Sequence, residues 1–380
     1  MDFGLNEEQK LVQATLRQMA QEQVRPKAAA TDKNHAIPPE TLTQLAELGL
    51  WGSYIPEEDG GSGLDYLSYI LSVEALSAAC ASTGVLLAAH ASLGCDPIHR
   101  SGTKEQKAKW LAPLCKGEKI GCFLLTEPGA GSDVASLKTR YLEQDDHYEL
   151  TGSKQFITNG GYLGTGVVFA TSDPSLGHKG ISAFILDLKS PGVTLLKNEE
   201  KMGIRGSFTS AFALDQVKIP KDQLLGAPHQ GFAIAMETLD GGRISISAQA
   251  LGIAQEALDL ALNYSTERQQ FGKPIGQFQA IRFKLADMAA ALESARLMTY
   301  KAAWLKNQHQ ESAQVSAMAK LLASKAAQFC TDEALQIHGG YGYSAEYPLE
   351  RLYRDAKITE IYEGTSEIQR IVIAKGLEKG

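Results

Sequence analysis

No stretch of this 380-residue sequence concentrates Lys and Arg; 37 basic against 44 acidic side chains leave a net charge of −7 and a pI near 5.7. Nucleic-acid backbones require a basic footprint, so nucleic acid is not expected as a partner. Cysteine is scarce: Cys80, Cys95, Cys115, Cys122 and Cys330 are widely spaced, with no CxxC. That pattern offers neither a disulfide framework nor a zinc site, so no metal is expected and a reducing compartment fits. Long apolar runs are also missing. The longest uncharged stretch, 75–95, carries Ser77, Ser82, Thr83, Gly84, His90 and Ser92, and reads as buried helix rather than membrane span. The start Met1-Asp2-Phe3-Gly4, with Glu7 and Glu8 behind it, lacks both the features of a signal peptide and the Arg-rich character of a transit peptide. The expectation is a cytoplasmic protein of bacterial type. Internal repeats and low-complexity linkers are absent too, and 44 % hydrophobic with 21 % charged residues excludes disordered and collagen-like classes. At roughly 150 residues per domain, two to three domains are expected.

What is present is periodicity. Val12, Leu16, Met19, Ala20 and Val24 share one helical face, with Asn6 and Gln9 suited to cap its start. Leu42, Leu45 and Leu48 repeat the spacing before Gly49, the segment 64–76 continues it, and Thr103 with Gln106 reads as a capping box. Near Lys116-Gly117-Glu118 the pattern changes to short β-rich runs at 120–125, 148–150, 155–158, 167–171, 181–188 and 210–217. Short strands without intervening helices predict an antiparallel sandwich or barrel. After Gly226-Ala227-Pro228 the helical period returns over 232–268, 278–306, 313–337 and 366–377, which predicts a four-helix bundle. The expected fold is multidomain α and β: an N-terminal α-helical domain (1–117), a middle antiparallel β-domain (118–227) and a C-terminal helical bundle domain (228–380), packed as one rigid unit.

Several segments carry groups whose roles stay open at this level. Gly129-Ala130-Gly131-Ser132 follows a strand, but GxGxxG is absent and another strand comes next, so a dinucleotide-binding βαβ unit is rejected. The Pro128-Gly129 turn, with the Thr126 and Ser132 hydroxyls nearby, is either a plain surface turn or a cradle for a cofactor ring or phosphate. Phe156-Ile157-Thr158-Asn159 is either a core strand before an Asn-Gly turn or an aromatic wall beside a flat cofactor. Arg268-Gln269-Gln270-Phe271-Gly272 reads as an ordinary helix C-terminus. The glycines of Gln336-Ile337-His338-Gly339-Gly340-Tyr341-Gly342 permit close approach by another molecule or subunit, and His338 is assigned no role. Glu363, in Ile361-Tyr362-Glu363-Gly364-Thr365, is either a dipole partner of the last helix or a general base. Position alone does not choose.

The combination does. LTEPGAGSD (125–133), FITN (156–159), DGGR (240–243), RQQFG (268–272), QIHGGYG (336–342) and IYEGTSE (361–367) together resemble the acyl-CoA dehydrogenase family, in order and spacing, over essentially the whole chain. DGGR and the length look closest to short-chain, butyryl-CoA-type members. The resemblance implies FAD between the β-domain and the C-terminal helices. Phe123, Leu125, Thr126, Ser132, Phe156, Ile157, Thr158, Phe271, Thr365 and Glu367 would contact it, with Phe156 standing where family members commonly carry Trp. Arg268, Gln279, Gln336, Gly339 and Gly340 would reach the FAD of a neighbouring subunit, which implies a homotetramer. Ser132, Asp240, Arg243 and Gly364 are implied to line the acyl-CoA site, and Glu363 to be the catalytic base. In isovaleryl- and long-chain-type members the base stands instead at the position of Gly242. The implied reaction is α,β-dehydrogenation of a short- to medium-chain acyl-CoA to trans-2-enoyl-CoA, with electrons passed to electron-transfer flavoprotein. Acyl-CoA oxidase-like activity, glutaryl-CoA-type activity and a non-catalytic acyl-CoA-binding role are the alternatives. An ordinary Glu near pKa 4.3 must rise by about two units to act at neutral pH, which burial can supply.

Overall fold

The computed structural model describes residues 4–379; Met1 to Phe3, on which part of the leader reading rests, lie outside that range. The local start signals form as expected. The Asn6 side chain accepts from the Gln9 N–H while the Gln9 side chain accepts from the Asn6 N–H, opening the helix Glu7–Met19, and Thr103 and Gln106 make the same reciprocal pair before Lys104–Gln106. The stretch 75–95 is helical but broken at Cys80, whose extended backbone separates Tyr66–Ala79 from Ala81–Ala89. Both helices are buried on nearly every side, because the C-terminal helix Gly231–Glu267 packs against them. Among the described residues no helix is long and apolar enough to cross a membrane.

The middle of the chain forms one eight-stranded sheet. Its order is Val193–Asn198, Thr209–Pro220, His147–Thr158, Arg140–Glu143, Thr165–Thr171, Ile181–Asp187 and Leu224–Leu225, with Gly121–Leu124 also paired to Thr165–Thr171. Most pairings are antiparallel, as the short runs predict. Two are parallel: Gly121–Leu124 lies beside Thr165–Thr171, and Arg140 meets Thr171. The hairpin of Arg140–Glu143 and His147–Thr158 lies between these strands in sequence and supplies the crossover that a parallel pair requires. Thr165–Thr171 is buried at every residue, so it carries no alternation from which direction or partner can be read. The runs 148–150 and 155–158 are one strand, His147–Thr158, because register shifts after Leu150 and after Lys154 interrupt its alternation.

Strand alternation then sorts the core. Phe123, Leu125, Val167 and Phe169 face the N-terminal helices, whereas Cys122, Leu124, Val168, Ile157 and Phe212 fill the interior that the curled sheet encloses. A third core joins the N-terminal helices to Gly231–Glu267, Gln279–Asn307 and Ala313–His338, and the last helix Ser366–Lys379 packs on Ala313–His338. To the four expected C-terminal helices the structure adds a fifth, Leu349–Lys357, which carries the segment leading to Glu363.

Candidate active site

Where the sheet meets the C-terminal helices a cavity of about 740 Å³ opens, lined on one side by Phe123, Leu125, Thr126, Ser132, Phe156 and Thr158 and on the other by Arg243, Tyr362, Glu363, Gly364 and Thr365. Alternation along Gly121–Leu124 aims Phe123 at this side. Phe156 arrives differently: it sits in the register shift after Lys154 with φ of +58°, a left-handed conformation that turns its ring outward. The ring is 61 % exposed and borders the cavity, while Ile157 is 1 % exposed and points into the sheet interior. The Ile157 side chain therefore does not line the cavity. Beside it the Thr126 loop is held by a buried ion pair. Glu127 accepts from Lys154 Nζ at 2.8 Å and from the N–H groups of Lys138 and Thr139 at 2.6 and 2.9 Å. Three donors to one buried carboxylate offset its desolvation and keep its pKa below the usual range. Glu127 lies inside the 125–133 motif, but nothing in the sequence pairs it with Lys154, which shows only ordinary charge.

Glu363 stands on a turn between Ile358–Glu360 and the last helix, with φ of +54°, followed by Gly364 at +85°. A left-handed Glu costs roughly 1–2 kcal/mol and persists only where surrounding bonds over-determine it. Here Gln369 Nε2 donates to the Glu363 and Gly364 carbonyls at 3.0 and 2.7 Å, and Lys320 Nζ donates to the Gly364 carbonyl at 2.7 Å. Tyr362 is anchored by its hydroxyl on Gln249. The Glu363 Oε2 atom is shut off from solvent and has no hydrogen-bond partner. Burial pushes the carboxyl up to about 7, against the opposing pull of Lys320 and Arg243. Arg243 is itself paired with Asp240, whose carboxyl burial raises; Asp240 supports the wall through Arg243 without lining it. A Cβ added at Gly242 would stand 2.5 Å from Glu363 Oε2 and 3.2 Å from Leu93 Cδ2, so the carboxylate occupies space that the helix leaves open only because residue 242 is glycine.

Leu93, Phe232, Met236 and Leu239, which add to the apolar wall, escaped sequence reading. Three of these lie on one face of Gly231–Glu267, a spacing identical to that of any core-facing residues. Glu367 is exposed in the first turn of the last helix and does not line the cavity. Arg268, Gly339 and Gly340 border a second cavity of about 570 Å³ with Tyr264, His338 and Tyr341, and no residue lines both cavities. There the His338 ring stacks on Tyr264 at 4.1 Å and Arg268 stands 5.6 Å over the Tyr341 ring. His338 Nδ1 lies 2.8 Å from the Ala334 carbonyl, a contact within its own helix. Gln279 and Gln336 are exposed, and Phe271 is 92 % exposed.

Fold and site define a helix–sheet–helix enzyme with a carboxyl pushed up to about 7 on the wall of a largely apolar cavity between its domains. Comparison with known proteins makes the class specific. Residues 6–118, 122–217 and 229–378 match the family models for the N-terminal, middle and C-terminal domains of acyl-CoA dehydrogenase, and the chain belongs to that family. It is 52 % identical to the mitochondrial short-chain specific acyl-CoA dehydrogenase of Bos taurus over 375 residues, 99 % of this chain and 91 % of the relative. Butyryl-CoA dehydrogenase from Megasphaera elsdenii superposes with a TM-score of 0.98 at 46 % identity, over all of both chains. A chain described under the electron transferring flavoprotein of Acidaminococcus fermentans gives 0.98 at 48 %, again over all of both. The family, the three-part fold and the enzyme class expected from six short motifs are thereby confirmed.

Proposed function

We propose that this enzyme dehydrogenates a short-chain acyl-CoA thioester between its α and β carbons, with Glu363 as the base. One observation carries the reading: a carboxyl pushed by burial up to about 7, its Oε2 without a hydrogen-bond partner, on a residue that lines a largely apolar cavity. A thioester α-proton is weakly acidic, and a base works best when its pKa lies near the working pH. The negative charge that develops on the thioester oxygen needs donors, and the Glu363 backbone N–H makes no hydrogen bond among the described residues. Ser132, Asp240, Arg243 and Gly364 are assigned to the acyl-CoA side. The 52 % identity to a short-chain enzyme supports the substrate length.

The β-side wall fits FAD. Phe156 presents an exposed ring to the cavity, Thr126 and Ser132 bring hydroxyls beside it, and Cβ atoms at Gly129 and Gly131 would meet nothing within 4 Å. When bound, FAD supplies the two-electron acceptor for the hydrogen leaving the β carbon. Phe123, Leu125, Thr126, Ser132, Phe156, Thr158 and Thr365 would hold it in this chain. Arg268, Gly339 and Gly340 border a different cavity, and the exposure of these residues and of Gln279 and Gln336 suits the FAD of a neighbouring copy in a homotetramer. Electron-transfer flavoprotein is the proposed acceptor of the electrons, a reading supported by the likeness to the Acidaminococcus fermentans chain. The domain junctions are assigned near 117/118 and 227/228.

The test is anaerobic mixing of the purified yellow protein with butyryl-, octanoyl- and isovaleryl-CoA, followed by reoxidation with oxygen or with electron-transfer flavoprotein. Fast bleaching by butyryl-CoA and reoxidation by the flavoprotein are expected. Bleaching by none of the three, or reoxidation by oxygen alone, would refute the assignment.

A further inference from the structure

Lys320 has no exposed surface, yet it is a charged residue in the middle of the Ala313–His338 helix, facing inward. A buried ammonium is costly unless its donors and its charge are answered. Its one hydrogen bond among the described residues goes to the Gly364 carbonyl at 2.7 Å, the carbonyl that directly follows Glu363. No ion pair within 4.0 Å joins it to Glu363 or to any other described carboxylate. The arrangement is unusual for a buried cation and has a chemical use. A direct contact would occupy the lone pairs with which a base takes a proton. A cation one carbonyl away leaves Oε2 unpaired and still favours the ionised carboxylate.

We infer that Lys320 is a positioning residue, holding the Glu363–Gly364 turn in its left-handed conformation and setting a positive charge beside the Glu363 carboxylate without binding it. This rests on the reading of Glu363 as the base. Three further observations support it. The turn has a second, neutral clamp in Gln369, so a charged one is not needed for geometry alone. Of the charges near the cavity only Lys320 and Arg243 act on Glu363: Arg243 on the Gly231–Glu267 helix is already paired with Asp240, and Glu360 and Glu367 on the chain either side of Glu363 are paired with Lys357 and Arg370. Lys320 is thus the cation whose charge no adjacent ion pair cancels. Its influence lowers the Glu363 pKa while burial raises it, and burial holds Lys320 itself down to about 8.

Lys320→Met keeps the apolar stem and removes the charge; Gln369→Met removes the neutral clamp on the same turn. In the FAD-loaded protein two quantities are measured: anaerobic flavin reduction by butyryl-CoA across pH, and the infrared titration of the Glu363 carboxyl without substrate, identified by its loss in Glu363→Gln. Both variants should reduce flavin about tenfold or more slowly, since a small misplacement of a reacting group carries a penalty of that order or larger. Only Lys320→Met should move the carboxyl titration and the rising limb of the rate to higher pH, because only it removes a charge that favours the ionised form. Affinity for an unreactive thioester analogue should change less than the rate in both. A Lys320→Met titration that coincides with wild type, or a wild-type rate, overturns the inference. A wild-type rate in Glu363→Gln overturns instead the reading of the base. If Lys320→Met does not retain FAD, Lys320→Gln, which keeps an N–H donor without charge, is judged by the same titration.

Discussion

Replacing Glu363 by glycine and Gly242 by glutamate in one chain should move the base from one element to another and keep part of the activity. The geometry sets the magnitude. With Glu363 in place, a Cβ at residue 242 would stand 2.5 Å from its Oε2, so Gly242→Glu alone should be destabilising and poorly active. Once Glu363→Gly has removed that obstacle, the nearest remaining atom is Leu93 Cδ2 at 3.2 Å, the far end of a flexible side chain. Overpacking there costs about 1–3 kcal/mol. Glycine at a position with φ of +54° relieves roughly 1–2 kcal/mol of left-handed strain. The two nearly cancel, so the double variant should fold. Loss of a general base costs about 10²- to 10⁴-fold, and a displacement on the order of 1 Å can cost 10²-fold. The double variant should therefore reduce flavin at least about tenfold faster than Glu363→Gly and at least about tenfold slower than wild type. The assay is stopped-flow bleaching by butyryl-, octanoyl- and isovaleryl-CoA, with FAD content and melting temperature as controls. A double variant that folds, holds FAD and binds thioester, yet is no faster than Glu363→Gly, would show that residues 242 and 363 do not face the same atom.

The other expectations are simpler. Glu363→Gln should retain FAD and thioester binding while losing flavin reduction by about a hundredfold or more, and wild-type rates would move the base elsewhere. The Glu363 carboxyl rises from 4.5 to about 7 in the folded chain, so the folded state holds a proton that the unfolded state releases between those values. Its contribution to stability is complete below about 4.5 and falls by up to about 3 kcal/mol as pH rises through 7. Glu363→Gln should accordingly gain in melting temperature over wild type at pH 8 relative to pH 5, and an unchanged difference would contradict a desolvated carboxyl. Lys154→Met leaves Glu127 buried without its cation and should cost about 3–5 kcal/mol, with FAD held less tightly as the Thr126 loop loosens; equilibrium unfolding and FAD release read both. Arg268→Ala should weaken FAD retention and the tetramer together, and sedimentation with and without added FAD tests the coupling.

Much of this protein was legible without coordinates, because the signals concerned are local. Asn6 with Gln9 and Thr103 with Gln106 satisfy backbone groups three residues away, so the helix starts they predict form whatever lies around them. Six short motifs in order sufficed for the family, and the three-part architecture follows from where the hydrophobic period changes. Tertiary structure alone decided the features that depend on distant partners. The parallel pairing of Gly121–Leu124 with Thr165–Thr171 is hidden, since a strand buried on both faces has no period. That Phe156 faces the cavity and Ile157 the core depends on a register shift and a positive φ, neither of which alternation can express. The state of Glu363 is the clearest case. Its residue type and its neighbours Tyr362 and Gly364 suit a dipole partner and a base equally well. What separates the two is desolvation and charge supplied by Lys320, Arg243 and the space beside Gly242, all remote in sequence and joined only by the packing of three helices.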